Sequence, residues 1–442
     1  MTSHISRNTA YSTAAFFFIF SLALCTGCGM GGNAHSTATN NPSAGGTQPS
    51  SGGSSGTGTS GGTGTTGTGG SGTGTGGSGG SGGGSSTGAS YLYVGVAIEN
   101  AAIRGYKVDT TNASIAEVAG SPFAQQGPES GVVAVSKTFV YTSTANVADS
   151  STNVFSLRAD ATSGSLTQTG SVIIARGGPA ALFPDPSGQN LYALTAIGDI
   201  ATFTINSTDG TLTSAGPLLH LADGVGSLAI SPNGQLAYVT ISNGNFKAGT
   251  LTGGTVALNR STNSGALTIN HQVNSDQHLN DLQFDPSGKY LLATGGDNDS
   301  QIYVYSVNYS TGDLTAVPGS PFASAGASPA PNFTRSFRFD ASGKFVYALD
   351  ANLADPRPEN VWVLAFSSTT GTLAPIQTFD VPVVANPISL VVDQSLAFVI
   401  NSGTNPSTIT VLKRDPTSGL LSAGGNPLSV PGGLGMAGEV HF

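Results

Sequence analysis

Charge is scarce in this sequence. Only 9% of its 442 residues are Asp, Glu, Lys or Arg, and the 24 acids against 15 bases leave a net charge of −9. Scattered bases on an acidic background give no surface that could release counterions from a phosphate backbone, so nucleic acid is excluded as a partner. Cysteine is nearly absent as well. The chain has two, Cys25 and Cys28, both close to Met1. Everything after Cys28 therefore lacks disulfides, Cys-ligated metal and a Cys nucleophile. Long apolar runs are missing too. The run from Ala14 to Leu24 spans about eleven residues, short for a ~30 Å hydrocarbon core and suited to the apolar region of an export signal. No His/Glu metal motif, Gly-x-Ser-x-Gly elbow or phosphate-binding loop occurs, and neither metal nor cofactor is expected.

What is abundant is glycine, 63 residues, crowded with Ser and Thr before Tyr91. A stretch such as Gly67-Thr68-Gly69-Gly70-Ser71 cannot repay the entropy of ordering, and residues 28–90 read as a flexible spacer with an r.m.s. reach of roughly 45 Å. The apolar-rich remainder, 91–442, is large enough to bury a core.

That remainder repeats. Phe183-Pro184-Asp185-Pro186-Ser187-Gly188 ends an apolar run in a tight turn, and the turn recurs as Ser231-Pro232-Asn233-Gly234, Asp285-Pro286-Ser287-Gly288 and Asp340-Ala341-Ser342-Gly343. A second run follows each turn, as in Leu191-Tyr192-Ala193-Leu194 and Phe345-Val346-Tyr347-Ala348. A third, alternating run such as Ile302–Val307 ends in a Gly turn with an apolar residue two places on, as in Gly210-Thr211-Leu212; Ala113-Ser114-Ile115 is the one copy with Ala for Gly. A short fourth run closes the unit. Four β-runs about every 50 residues, with no helical period, predict an all-β, seven-bladed β-propeller of four-stranded antiparallel blades. The first unit lacks an innermost strand and Gly432–Phe442 supplies one without a unit after it, so the N- and C-terminal strands are expected to pair and close the ring.

Two resemblances follow from these residues. Leu24-Cys25-Thr26-Gly27-Cys28 resembles the lipid-attachment site of bacterial lipoproteins. It implies a signal peptide over 1–27, acylation of Cys28, and a membrane-anchored, exported protein of the cell envelope; an ordinary secretory signal is the alternative. The repeat resembles the seven-bladed lactonase family and the overlapping surface proteins with a Tyr-Val-Thr-Asn repeat, whose nearest copy here is Tyr238-Val239-Thr240-Ile241-Ser242-Asn243.

Family members that hydrolyse sugar lactones carry His-x-His before one blade's first strand. The matching stretch here is His278-Leu279-Asn280, with Arg335 aligned to Asn280 one blade on. The resemblance makes His278, Asn280 and Arg335 the candidate catalytic set. Asn cannot shuttle protons as His does near neutral pH. The sequence is therefore read as a non-catalytic binding propeller for a glycan, small molecule, peptide or envelope protein, with a lactonase-like hydrolase as the alternative. Its ligand is expected on the face that carries the irregular loops, near Arg176, Glu129 and His220. Asp297-Asn298-Asp299 reads as a solvated turn rather than a calcium loop.

Overall fold

The repeated runs fold as strands because each is rich in Val, Leu, Ile, Tyr and Phe and is bounded by turns that only particular residues can make. The computed structural model describes residues 89–96, 102–124, 132–146, 151–221, 225–241, 254–274, 279–295, 300–323, 332–352, 360–381, 387–402, 406–431 and 433–442. Their strands form seven antiparallel sheets, the blades of one propeller, and no helix occurs among the described residues.

Blades 2 to 7 begin with the innermost strands Val132–Ser136, Pro179–Pro184, Val225–Ile230, Leu279–Phe284, Asn332–Phe339 and Pro387–Val392, and each strand abuts the next around the ring. Blade 1 takes its innermost strand from the end of the chain. Leu434–His441 pairs antiparallel with Ser90–Val96, in the register Leu92 opposite Glu439 and Ser90 opposite His441. The closure expected from the unit count is thus observed.

In three blades the turn that ends the innermost strand is made by its Asp. The Asp185 carboxylate accepts the backbone N–H groups of Gln189 and Asn190 at 2.8 and 2.9 Å and the Ser187 hydroxyl at 2.6 Å. Asp285 and Asp340 repeat the arrangement with Ser287 and Tyr290, and with Ser342 and Phe345. The side chain satisfies amides that the sharp turn leaves unpaired.

There is no single central core. Seven apolar layers lie one at each blade junction. Five of the seven junctions also share a polar device, those after blades 5 and 7 having Leu292 and Phe398 at the tyrosine position. In the five, the second strand carries a buried Tyr whose hydroxyl donates to the carbonyl of the Gly in the next blade's third turn. Tyr93 reaches Gly164 at 2.8 Å, Tyr141 reaches Gly210 at 3.0 Å, Tyr192 reaches Gly265 at 2.8 Å, Tyr238 reaches Gly312 at 2.9 Å and Tyr347 reaches Gly419 at 2.7 Å.

The turn must be Gly for two reasons, seen at Gly210. Its φ is +76°, and a Cβ there would lie 2.4 Å from the Phe139 ring. The exception explains itself. At the junction of blades 7 and 1 the corresponding residues are Leu396, smaller than Phe, and Phe398, which has no hydroxyl. Ala113, at φ 51°, fits there fully buried, and its carbonyl is taken by the Gly425 N–H at 3.3 Å.

Candidate functional site

The turns place one end of every innermost strand on a regular face and the other end on the face of irregular links. Asn280 and Arg335 lie at that second end, in adjacent blades, and the backbone there is not regular. Pairing in blade 5 runs from Leu279 opposite Gly295 to Leu282 opposite Ala293, so Asn280 and Asp281 together face one residue, Thr294. Blade 6 skips Arg335 between Thr334 and Ser336, blade 7 skips Ile388, and blade 4 fits Gly226 and Ser227 opposite Thr240. Blade 3 likewise skips Ala180, and blade 1 fits Gly435 and Met436 opposite Gly95, so six of the seven blades bulge at one level of the channel, blade 2 alone being regular. A bulge re-aims side chains and is a recurrent feature beside functional sites.

The amides freed by the bulges are recaptured from the second strand. Thr240 Oγ1 accepts the Ser227 N–H at 2.8 Å, and Thr294 Oγ1 accepts the Asp281 N–H at 3.1 Å. The Asn280 side chain, buried, donates from Nδ2 to the Gly295 carbonyl at 3.3 Å. Arg335 is half-buried.

Beneath them lies a charge pair that sequence reasoning passed over. Asp281, fully buried, accepts Arg338 Nη1 at 2.8 Å and the Phe337 N–H at 3.3 Å through Oδ2, while its Oδ1 faces the Ser227 hydroxyl at 3.4 Å. One carboxylate joins blades 4, 5 and 6 directly behind Asn280 and Arg335. Burial pushes the Asp281 carboxyl above its ordinary value, and the Arg338 guanidinium and the other donors offset part of that. Its sequence signal was weak. Asp281 adjoins the His-x-Asn stretch, but nothing local pairs it with a residue 57 positions on.

Arg176 and His220 are brought together. Both bind Asp199, which starts the third strand of blade 3. Arg176 Nε lies 2.8 Å from Oδ2 and His220 Nδ1 2.8 Å from Oδ1. Asp199 is fully buried, whereas the Arg176 and His220 side chains are half or more exposed. Cys28, Glu129, His278 and Asp297-Asn298-Asp299 lie outside the described residues.

The sequence matches the model of the family described as Lactonase, 7-bladed beta-propeller, over residues 137–329 and 324–437. The chain belongs to that family. No curated protein matches it in sequence.

Solved structures share the fold at low identity. A protein from Lactobacillus plantarum is 19% identical with a TM-score of 0.64, covering 80% of this chain and 99% of its own. A putative 6-phosphogluconolactonase from Bacteroides uniformis is 17% identical at 0.63, and a periplasmic gluconolactonase from Pseudomonas aeruginosa 18% identical at 0.61, both with the same coverage.

The family membership corrects the expectation of a non-catalytic binding propeller and favours the lactonase-like alternative. Loss of one proton-transfer group does not remove the other contributions a hydrolytic site makes. Replacing one imidazole by the Asn280 amide removes a proton shuttle and leaves donors that can polarise a carbonyl.

Proposed function

We propose that this chain hydrolyses sugar lactones at the channel end where the innermost strands of blades 5 and 6 carry Asn280 and Arg335. The observation that carries the reading is the family match, which includes Asn280, Arg335 and the Asp281–Arg338 pair. The cyclic ester's acyl carbon takes a water, a tetrahedral oxyanion forms, and the ring C–O bond breaks to give the hydroxy acid. The Arg335 guanidinium and the free N–H of Asn280 suit the oxyanion, since preorganised donors in a partly dehydrated site act where charge develops. His278, two residues before Asn280, is the side chain of the right type to take the proton of the attacking water and return it to the ring oxygen as the bond breaks. Asp281 is a positioning residue. It holds the strands that carry Asn280 and Arg335 in register.

Supply from outside the cytoplasm fits the amino-terminal signal and Cys28. A protein released or anchored in the envelope meets lactones formed by oxidation of sugars there, and one gluconolactonase of this fold is periplasmic.

The test is turnover of a δ- and a γ-sugar lactone by the full chain, at a pH where spontaneous opening is slow. His278→Ala and Arg335→Ala are each expected to lower kcat/KM by about 10²–10³-fold, and Asn280→His to leave it unchanged or raise it. Absence of wild-type turnover on every sugar lactone tried would overturn the reading.

A further inference from the structure

At the junction of blades 7 and 1, on the face opposite the proposed lactone site, three ligating groups converge. Asp393 ends the innermost strand of blade 7, and Glu439 and His441 belong to the closing strand. One ligand atom from each lies within 4.8 Å of the other two. His441 Nε2 is 3.6 Å from Asp393 Oδ1 and 3.9 Å from Glu439 Oε2.

Glu439 departs from what the repeat puts at its place. Glu439 pairs with Leu92, and the residues in the same register in the other blades are Val135, Pro184, Ile230, Phe284, Phe339 and Val392. Six blades put an apolar side chain or proline where this one puts a carboxylate. The Glu439 side chain is only 3% exposed, and neither of its oxygens accepts a hydrogen bond among the described residues. A polar group without a partner is costly inside a protein, so its retention asks for a ligand. Asp393 differs too. Its counterparts Asp185, Asp285 and Asp340 accept amides of their own turns, and Asp185 and Asp340 also hold Arg260 and Arg414 of the next blade; Asp393 accepts no side-chain hydrogen bond from its turn among the described residues and has His441 of the next blade in place of the arginine.

We propose that Asp393, Glu439 and His441 bind one divalent transition-metal ion, with zinc the best match, and that the ion clasps the seam of the ring. Two carboxylate oxygens and one imidazole nitrogen are a zinc donor set that leaves a position for water, and ligands at zinc distances stand about 3.4 Å apart. The observed 3.6 and 3.9 Å need a contraction of only a few tenths of an ångström.

An outer partner is in place. His441 Nδ1 lies 2.8 Å from Ser90 Oγ, so an Nδ1–H donated to Ser90 leaves the Nε2 lone pair toward the two carboxylates. The His441 side chain, 28% exposed, gives the ion a way in. The site also falls at the junction where Phe398 and Ala113 replace the tyrosine–glycine link. A metal bond there would tie the last strand to blade 7 at one of the two junctions that lack the common link, the other being that of blades 5 and 6, where Leu292 stands at the tyrosine position.

The test uses the full chain stripped with chelator, titrated with zinc by calorimetry and melted with and without zinc, manganese, calcium and magnesium. Cys25 and Cys28 can also take up zinc, so the readout is the difference between wild type and Glu439→Gln. We expect one zinc site and a zinc-dependent rise in Tm in wild type, both lost in Glu439→Gln. Ser90→Ala should keep the site but weaken it about 10–100-fold. If Glu439→Gln fails to fold, His441→Gln, at a partly exposed position, carries the same comparison. Equal zinc binding and equal Tm in wild type and these variants would overturn the proposal, as would a rise in Tm with calcium or magnesium but not zinc.

Discussion

The hydroxyl of Tyr238 donates to the carbonyl of Gly312, 74 residues further along the chain, at 2.9 Å. The same relation, one blade to the next, recurs for Tyr93, Tyr141, Tyr192 and Tyr347 at separations of 69 to 73 residues. A contact repeated at five of seven junctions makes those junctions nearly equivalent and ties each of these blades to the next.

Removing one hydroxyl leaves a buried carbonyl without its donor. Tyr238→Phe is expected to lower stability by about 1 kcal/mol. Phe398→Leu removes no hydrogen bond, so its cost should come from packing alone. Denaturant melts of the two variants would separate these effects, and an unchanged midpoint for Tyr238→Phe would show that the link contributes nothing.

The same tyrosines set an alkaline limit. Burial pushes Tyr192 and Tyr347 up to about 12, with Arg260 and Arg414 restraining the rise, and raises Tyr93, Tyr141 and Tyr238 as well. A raised folded pKa means that the native state holds its proton longer than the unfolded chain. The stabilisation is therefore complete below pH about 10, the ordinary value, and is lost as pH rises toward 12. Tm should fall steeply above pH 10. Phenolate absorbance of the native protein should lag that of the unfolded chain, and coincident titrations would contradict the buried assignment.

Gly210→Ala asks for a left-handed backbone with a side chain and puts a Cβ 2.4 Å from Phe139. We expect a loss of about 1–3 kcal/mol from overpacking, with backbone strain added. Ala113→Gly, where Leu396 leaves room, should change stability by about 1 kcal/mol or less. Thermal melts that ranked the two the other way would refute this account of the exception.

Breaking the Asp281–Arg338 pair from one side leaves a buried carboxylate alone. Arg338→Met is expected to cost about 3–5 kcal/mol, and adding Asp281→Asn should recover much of it by removing the stranded charge. Lactone turnover of the double variant should stay below wild type, because Asn280 and Arg335 lose their shared support. Additive costs in the double variant would show that the two side chains do not act as a pair.

Deleting Gly432–Phe442 removes the innermost strand of blade 1 and bares the Ser90–Val96 edge. Aggregation or a large drop in Tm is expected, since an unpaired edge with buried Leu92 and Val94 invites association. A truncated chain that melts like the full one would mean that the two ends need not pair.

Much of this molecule is local in origin. Apolar alternation along Ile302–Val307, the Asp-Pro-Ser-Gly turns and the Gly-x-Leu returns each act within a few residues, so the strands, their number and the unpaired terminal strand could be read directly. Even Ala113 was visible as the odd copy. What lay beyond the sequence are relations between blades. The bulge that aligns Asn280 with Arg335, the passage of Asp281 to Arg338, and the seating of Arg176 and His220 on Asp199 depend on how neighbouring sheets twist past one another. Glu439 is the sharpest case. In the sequence it is one acid near the end of the chain, 46 residues from Asp393, and only ring closure sets it in a buried register position beside that carboxylate and His441. Periodicity determines which residues form a strand; the chemistry a strand end can perform is decided by the blade that closes against it.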